Sequence, residues 1–204
     1  MNFELGPELN LISQWIKPNS RVLDMGCGAG TLMQHLGNSL GVTGYGLEID
    51  PDKIALCLQA GINVIQSDIE EGLVDFFDED SFDYVIMGQT LQAMRQPSRL
   101  LDEMMRIGKQ GIVTFPNFGH WKSRVQIGLE GHMPVTPALP SSWHNTPNIH
   151  LCTLMDFESL CRERSIEILE RKVMNNEHKT TIGTRLFPNL LGEIALYRFR
   201  KMEL

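Results

Sequence analysis

Val22-Leu23-Asp24-Met25-Gly26-Cys27-Gly28-Ala29-Gly30-Thr31 decides the fold of this chain. Its apolar residues before Gly26 read as a buried strand, the glycines at 26, 28 and 30 as a loop, and the pattern from Thr31 onward as a helix. Glycines at the carboxyl end of such a strand let the backbone approach a ligand with no Cβ atoms between them. A dinucleotide-binding loop reads G-x-G-x-x-G/A, whose third small residue lets helix and strand pack; here that position is Thr31. NAD and FAD are disfavoured on this count. Asp24 argues the same way, because a carboxylate before the glycines repels a pyrophosphate and attracts a ligand bearing an ammonium group and a sulfonium centre. S-Adenosylmethionine, or its demethylated product S-adenosylhomocysteine, is the expected cofactor. The alternative role for Asp24 is to accept hydrogen bonds from the loop's own N–H groups.

Outward from the loop the chain alternates between strands and helices. A helix is expected over 7–16, ended by Lys17-Pro18-Asn19-Ser20, then a strand over 21–25, a helix over 31–40 and a strand over 42–48. Asp50-Pro51 opens the next helix, since an Asp N-cap followed by Pro presets the first turn. Strands follow at 63–67, 82–87 and 111–115, with a helix over 97–106 between the last two. That order implies a parallel sheet. Leu100, Leu101, Met104 and Met105 form a stripe read as core. Between 118 and 150 the alternation fails. This stretch holds His120, His132, His144 and His150, two tryptophans and several prolines, and reads as a lid or partner surface. Thr153 and Asp156 have capping-box spacing, and Phe157, Leu160 and Cys161 mark one face of the helix behind them. Strands over 166–173 and 193–200 complete the sheet as an antiparallel pair.

The strand ends supply the remaining candidates. Glu48 closes the second strand, where a doubly wound fold offers an acid to ribose hydroxyls as a bidentate acceptor, and Ile49 beside it is assigned to the same pocket. Asp50 reads as a cap. Asp68 is placed to accept from an adenine amino group and Ile69 to cover the ring, with a turn-forming role as the alternative for Asp68. Gln89, after the fourth strand, is assigned to the methionine portion, with a solvated helix start as its alternative. The cofactor-binding set is thus Asp24, Gly26, Cys27, Gly28, Gly30, Glu48, Ile49, Asp68, Ile69 and Gln89. Cys27 reads as a small loop residue; a thiol activated by a helix N-terminus is the alternative.

Composition bounds the rest. A 204-residue chain with 42% hydrophobic content buries one substantial core, so a single domain over 1–204 is expected. The net charge of −7 opposes attraction to polynucleotides. No apolar run approaches the roughly 20 residues of a membrane span, and Met1-Asn2-Phe3-Glu4 lacks the features of a signal peptide. Cys27, Cys57, Cys152 and Cys161 form no CxxC pair, as expected of a cytoplasmic protein without a disulfide frame or zinc site.

The D-x-G-x-G-x-G loop, Glu48 and Asp68 resemble the class I S-adenosylmethionine-dependent methyltransferases. The resemblance narrows at Gly44-Tyr45-Gly46-Leu47-Glu48-Ile49-Asp50, Gln89-Thr90-Leu91-Gln92-Ala93, Phe115-Pro116-Asn117-Phe118-Gly119-His120-Trp121 and Thr146-Pro147-Asn148-Ile149-His150-Leu151-Cys152. Over nearly the whole chain these are similar to the MetW family of methionine biosynthesis proteins. That resemblance implies a Rossmann-like α/β fold, with a seven-stranded, mostly parallel sheet flanked by helices and a lid or interface insertion after strand 5. It also implies a role beside MetX, an α/β-hydrolase-fold homoserine O-acyltransferase. Two positions depart from the family pattern: Ala29 stands where an acidic residue is usual, and His144 follows Trp143 where Tyr is expected.

Three readings follow. In the first, the chain is a cofactor-binding accessory subunit that docks on the acyltransferase through 118–150. In the second, it is a free-standing methyltransferase in which the sulfonium methyl meets a small O, N or S nucleophile, with His120, His144 or His150 as base. In the third, the histidines bind a metal, which their long spacings disfavour. The Asn/Asp-Pro-Pro-aromatic stretch that positions an amino group in nucleobase and glutamine methyltransferases does not occur after the fourth strand.

Overall fold

The computed structural model describes residues 6–71, 73, 76–175 and 179–202. The first strand, β1 (Arg21–Met25), is followed by the glycine loop and a helix, α2 (Thr31–Leu40), after a short opening helix α1 (Pro7–Ser13). Strand β2 (Thr43–Glu48) leads into α3 (Pro51–Gln59), whose N-cap Asp50 accepts from the Asp52 N–H at 3.0 Å as the Asp-Pro pair predicts. Strands β3 (Val64–Gln66) and β4 (Phe82–Gly88), helix α4 (Pro97–Ile107) and strand β5 (Gly108–Pro116) complete the alternation. Then come α5 (Trp121–Val125) with a π-helical turn (Gln126–Glu130), α6 (Leu154–Glu163), β6 (Ile166–Met174), α7 (Ile182–Leu186), α8 (Pro188–Leu191) and β7 (Ile194–Lys201).

The strands form a seven-stranded mixed sheet in the order β3-β2-β1-β4-β5-β7-β6. Strand β1 pairs in parallel with both β2 and β4, and β2 with β3, whereas β6 and β7 are antiparallel. The chain order reverses between β1 and β4, and the loop after β1 leaves the sheet at that switch point, where open α/β sheets bind ligands.

Two compact units are distinguishable. The first comprises Met1–Gly88 and Ser98–Ile112. Its core is Val22, Leu23, Met25, Leu36, Leu47, Val85 and Ile86, all fully buried, and the Leu100, Leu101, Met104, Met105 stripe of α4 is buried as its spacing predicts. Glycine is obligatory at 44: its φ is 147°, and a Cβ there would overlap the Val22 carbonyl oxygen of the neighbouring strand.

The second unit comprises Gln89–Pro97 and Val113–Leu204. Aromatic packing dominates it, with Phe115 stacked on Tyr197 at 5.9 Å between ring centroids and Phe157 against Tyr197 at 4.7 Å. Helix α6 begins in the expected capping box: Thr153 accepts from the Asp156 N–H at 3.2 Å while Asp156 accepts from the Thr153 N–H at 3.0 Å. Thr153→Ala removes half of this reciprocal pair and is expected to cost about 1 kcal/mol in chemical denaturation.

Several expected boundaries are corrected. Helix α1 ends at Ser13 rather than 16, since Trp15 and Ile16 follow in a tighter turn, their N–H groups donating to Ile12 and Ser13 carbonyls. Strand β5 starts at Gly108, three residues before the predicted strand. The irregular 118–150 stretch contains α5 and its π-helical turn. Helices α7 and α8 were not expected at all. Among the described residues no helix is long and apolar enough to cross a membrane.

Candidate functional site

The first unit assembles most of the predicted residues around the end of β1. Gly26 and Cys27 both donate their N–H groups to the Leu47 carbonyl, at 2.9 and 3.0 Å, which turns the loop over the end of β2. Gly28 and Gly30 have φ of 57° and 76°, in the left-handed region that favours glycine. Beside Gly28 a Cβ would meet nothing within 4 Å, so open space lies against the loop backbone there. Below Gly30 the packing is tight, with Cys57 Sγ 3.0 Å and Ile62 Cγ1 3.2 Å from where a Cβ would lie. Cys57 also donates to the Gly28 carbonyl at 3.1 Å and lies 3.9 Å from the Cys27 sulfur.

Glu48 sits at the end of β2, and its carboxylate fastens the loop to the strand. One oxygen, Oε2, accepts from the Gly28 N–H at 2.9 Å; the other, Oε1, accepts from the N–H groups of Ile49 and Asp50 at 2.9 and 3.0 Å. An ionised carboxylate has about four lone-pair positions, so three backbone donors leave about one. The bidentate grip expected from the sequence therefore has both oxygens already engaged by N–H donors.

Asp24 is the opposite case. It is 5% exposed, yet among the described residues no loop N–H or side chain donates to it, so the purely structural role considered for it is not what the geometry shows. Burial, and secondarily the charge of Glu48, raises its pKa from the usual 3.8 to about 7. A buried acid with an unpartnered, half-neutralised carboxyl is stabilised by a cationic ligand. The same surroundings oppose the activated-thiol alternative for Cys27, because burial first and the neighbouring Asp24 second raise its pKa.

Ile49 projects 58% of its surface to solvent beside Glu48, an apolar shelf next to an acid. Ile69 is only 8% exposed and lies within the core of the unit. Asp68 Oδ1 accepts from the Glu70 N–H at 2.9 Å, the local bond of a turn.

Gln89 belongs to the second unit, where it adopts a φ of 50° and donates its N–H to the Thr114 carbonyl and hydroxyl, each at 3.0 Å. A cavity of about 220 Å³ in that unit is lined by Gln89, Phe118, Met133, Trp143 and Leu151 among others, so much of the 118–150 stretch folds around it. The three candidate histidines are not brought together. His144 lies edge-on against Trp143 at 5.5 Å, and His150 Nε2 is 3.3 Å from the Arg95 carbonyl.

His120 alone is buried, at 4% exposure, with Nε2 3.7 Å from Glu193 Oε1. Burial, then the charge of Lys122, lowers its pKa to about 4, so at neutral pH the ring is uncharged and the approach to Glu193 is a polar contact, not an ion pair. Nδ1 of His120, Oγ of Ser123 and Oε2 of Glu193 are buried without hydrogen-bond partners among the described residues. Sequence spacing gave no hint of Glu193, nor of Cys57 behind the glycine loop. Among the described residues no group of three or more His, Cys, Asp and Glu could hold a metal.

Sheet order, glycine loop and acidic strand ends together define a class I S-adenosylmethionine-dependent methyltransferase fold. The chain is similar to an S-adenosylmethionine-dependent methyltransferase from Mesorhizobium loti, at 16% identity and a TM-score of 0.70, over 96% of this chain and 98% of that one. It is also similar to phosphoethanolamine N-methyltransferase 2 of Haemonchus contortus, solved in complex with S-adenosylmethionine, at 15% identity and a TM-score of 0.70, over 96% of this chain and 52% of that one. At such identities the likeness is one of fold. Residues 6–199 match the family described as methionine biosynthesis protein MetW, and the chain belongs to that family. It is 33% identical over 199 residues to the bifunctional methionine biosynthesis protein MetXA/MetW of Rhodopirellula baltica. That match takes in 93% of this chain but 32% of the relative, so the chain spans about a third of the relative's length.

Proposed function

We propose that this chain is an S-adenosylmethionine-binding accessory subunit of a MetX-type homoserine O-acyltransferase, docking through the 118–150 stretch. The observation that carries the reading is the Rhodopirellula relative, in which a segment like this chain is named jointly with MetXA in one protein. Covalent linkage holds two modules at high effective concentration, an arrangement suited to parts that act on one another. The cofactor part of the proposal rests on the site. Asp24 faces the cationic end of the ligand, the space beside Gly28 admits its backbone-hugging portion, and Ile49 offers a shelf to the adenine. The one acceptor position remaining on Glu48 takes a ribose hydroxyl. When bound, the cofactor would supply an electrophilic methyl group or act as a regulatory ligand; the chain's own residues bind and orient it.

A second reading, methyl transfer by the chain alone, is favoured by one observation: His120 is held neutral, so a ring nitrogen can accept a proton. One experiment separates the two. The chain is co-expressed with the acyltransferase of its own organism, and adenosylmethionine is titrated into the chain alone and into the complex. The accessory reading expects a stable complex, acyl transfer that depends on this chain, and a cofactor affinity that changes on complex formation by the same factor as the partner affinity changes on cofactor binding. Absence of any complex, together with S-adenosylhomocysteine production that His120→Ala abolishes, would replace it with the enzyme reading.

A further inference from the structure

The 118–150 stretch has little regular structure, yet it stands around a hollow of about 220 Å³ whose walls are tied by hydrogen bonds. Gln126, in the π-helical turn, holds both polar groups of Val135: its Nε2 donates to the Val135 carbonyl at 3.4 Å and its Oε1 accepts from the Val135 N–H at 3.1 Å. That fixes the adjoining Met133-Pro134 wall. Thr136 and Leu139 exchange backbone hydrogen bonds at 2.9 and 3.0 Å, closing the turn that brings Ala138 and Leu139 to the lining. The chain from Pro147 to Leu151 hangs from Gln92, a residue 3% exposed. The Gln92 carbonyl accepts from the N–H groups of Ile149 and His150, each at 3.0 Å, while its side chain donates to the Pro116 carbonyl at 3.0 Å. Phe118 donates its N–H to the Cys152 carbonyl at 3.0 Å and so joins the two ends of the stretch. A hollow formed before any ligand arrives is the usual form of a small-molecule site.

The lining is apolar and carries no charge. Phe118, Met133, Leu139, Trp143 and Leu151 form its apolar part, and four prolines stiffen the wall. Gln89, Ser141, Thr146 and Asn148 form its polar part; no Asp, Glu, Lys, Arg or His is among the lining residues described. A carboxylate, phosphate or ammonium entering here would give up hydration with no opposite charge to meet it. Amino acids, which bear both charges, are disfavoured on the same ground. Ser141 and Asn148 make no side-chain hydrogen bond among the described residues, so their polar groups are open to a ligand. Trp143 is 74% exposed at the hollow, with Met133 and Leu151 at 44% and 51%, and an indole so placed gains by stacking on an incoming ring. An apolar cavity of about 150 Å³ takes up benzene, and in proportion this one suits about nine non-hydrogen atoms.

We infer that this hollow is a binding site for a small uncharged molecule with a flat apolar body and one or two hydrogen-bonding groups. Its lining residues all belong to the second compact unit, and the inference depends on neither reading of the overall function. The 118–150 stretch then has a ligand of its own, besides any surface it offers to a partner.

The test titrates the full chain with three aromatic probes that differ in charge: indole, 4-methylbenzoate and benzylammonium. Proton–nitrogen correlation NMR reads the backbone signals of Phe118 and Leu151 and the indole N–H of Trp143. Indole is expected to shift these signals with a dissociation constant of about 0.1–1 mM, as a nine-atom ligand of ordinary efficiency does. Each charged probe should bind about tenfold more weakly or worse. Ala138→Phe, which fills the hollow from its wall, should weaken indole about tenfold, and Trp143→Ala about threefold. Equal binding of the charged probes, wild-type indole affinity in Ala138→Phe, or no shift at any of the three signals overturns the site. So does displacement of indole by adenosylmethionine, which would assign the hollow to that ligand. Where the spectrum of Ala138→Phe shows a lost fold, Trp143→Ala decides, since it only trims an exposed side chain: unchanged indole affinity there overturns the site, and a loss supports it.

Discussion

Glu48→Ala is expected to weaken adenosylmethionine binding by about 100-fold and to lower the stability of the ligand-free protein by about 3 kcal/mol, because three backbone donors lose their acceptor at once. The carboxylate is 6% exposed and holds the N–H groups of Gly28, Ile49 and Asp50, at 2.9, 2.9 and 3.0 Å. Hydrogen bonds to a charged group each contribute about 1.5–3 kcal/mol, and water entering the space left by the side chain restores part of that. Without the bond to Gly28 the loop no longer holds its shape over Leu47, so the ligand site is lost along with the ribose acceptor. Glu48→Gln is informative beside it. Its amide has one acceptor oxygen and turns an NH₂ toward backbone N–H donors, so it falls between wild type and alanine. Calorimetric titration and thermal unfolding measure the two effects separately. Wild-type affinity in Glu48→Ala would mean that the loop and ligand do not depend on this acid.

The parts of this site that were legible in sequence are local. Alternate glycines after an apolar strand, an Asp-Pro start and a Thr-x-x-Asp box each act within a few residues, and β1, α2, the α3 cap and the α6 cap appear where those signals put them. What was missed is long-range or inverted. Cys57 reaches Gly28 across 29 positions and Glu193 lies 73 positions from His120, and no spacing rule connects such residues. Helix α7 hid for a different reason. Its capping pair is Thr181 with Thr184 rather than Thr with an acid, it is five residues long, and its apolar residues face outward, so the expectation that apolar periodicity marks a buried face does not apply. The strand end pointed to Glu48, but its three backbone donors could not be read from sequence, because which N–H groups reach a carboxylate depends on the loop folding back over β2.

Cofactor affinity is expected to rise with pH up to about 7 and then level off, through Asp24. Its carboxyl has a folded-state pKa of about 7 against 3.8 ordinarily, raised first by burial and then by Glu48. The sign for stability follows directly. The fold favours the neutral acid, so the stabilisation this group gives is complete below about pH 4 and is lost as pH rises through 7. Ligand binding runs the other way, since a sulfonium and an ammonium are attracted to the ionised form. Below 7 each pH unit should therefore cost about tenfold in adenosylmethionine affinity, while the ligand-free protein becomes more stable over the same interval as far as this group is concerned. Binding at pH 7 displaces a fraction of a proton, which calorimetry in two buffers of different ionisation enthalpy detects. S-Adenosylhomocysteine lacks the sulfonium charge and keeps the ammonium, so its affinity should vary less steeply with pH. Asp24→Asn removes the titrating group: its affinity is expected to be about 100-fold below that of the wild type at pH 8 and flat from pH 5.5 to 8.5. A wild-type affinity that does not change across that range, or a slope that survives in Asp24→Asn, would show that the cationic end of the ligand is met by some other group.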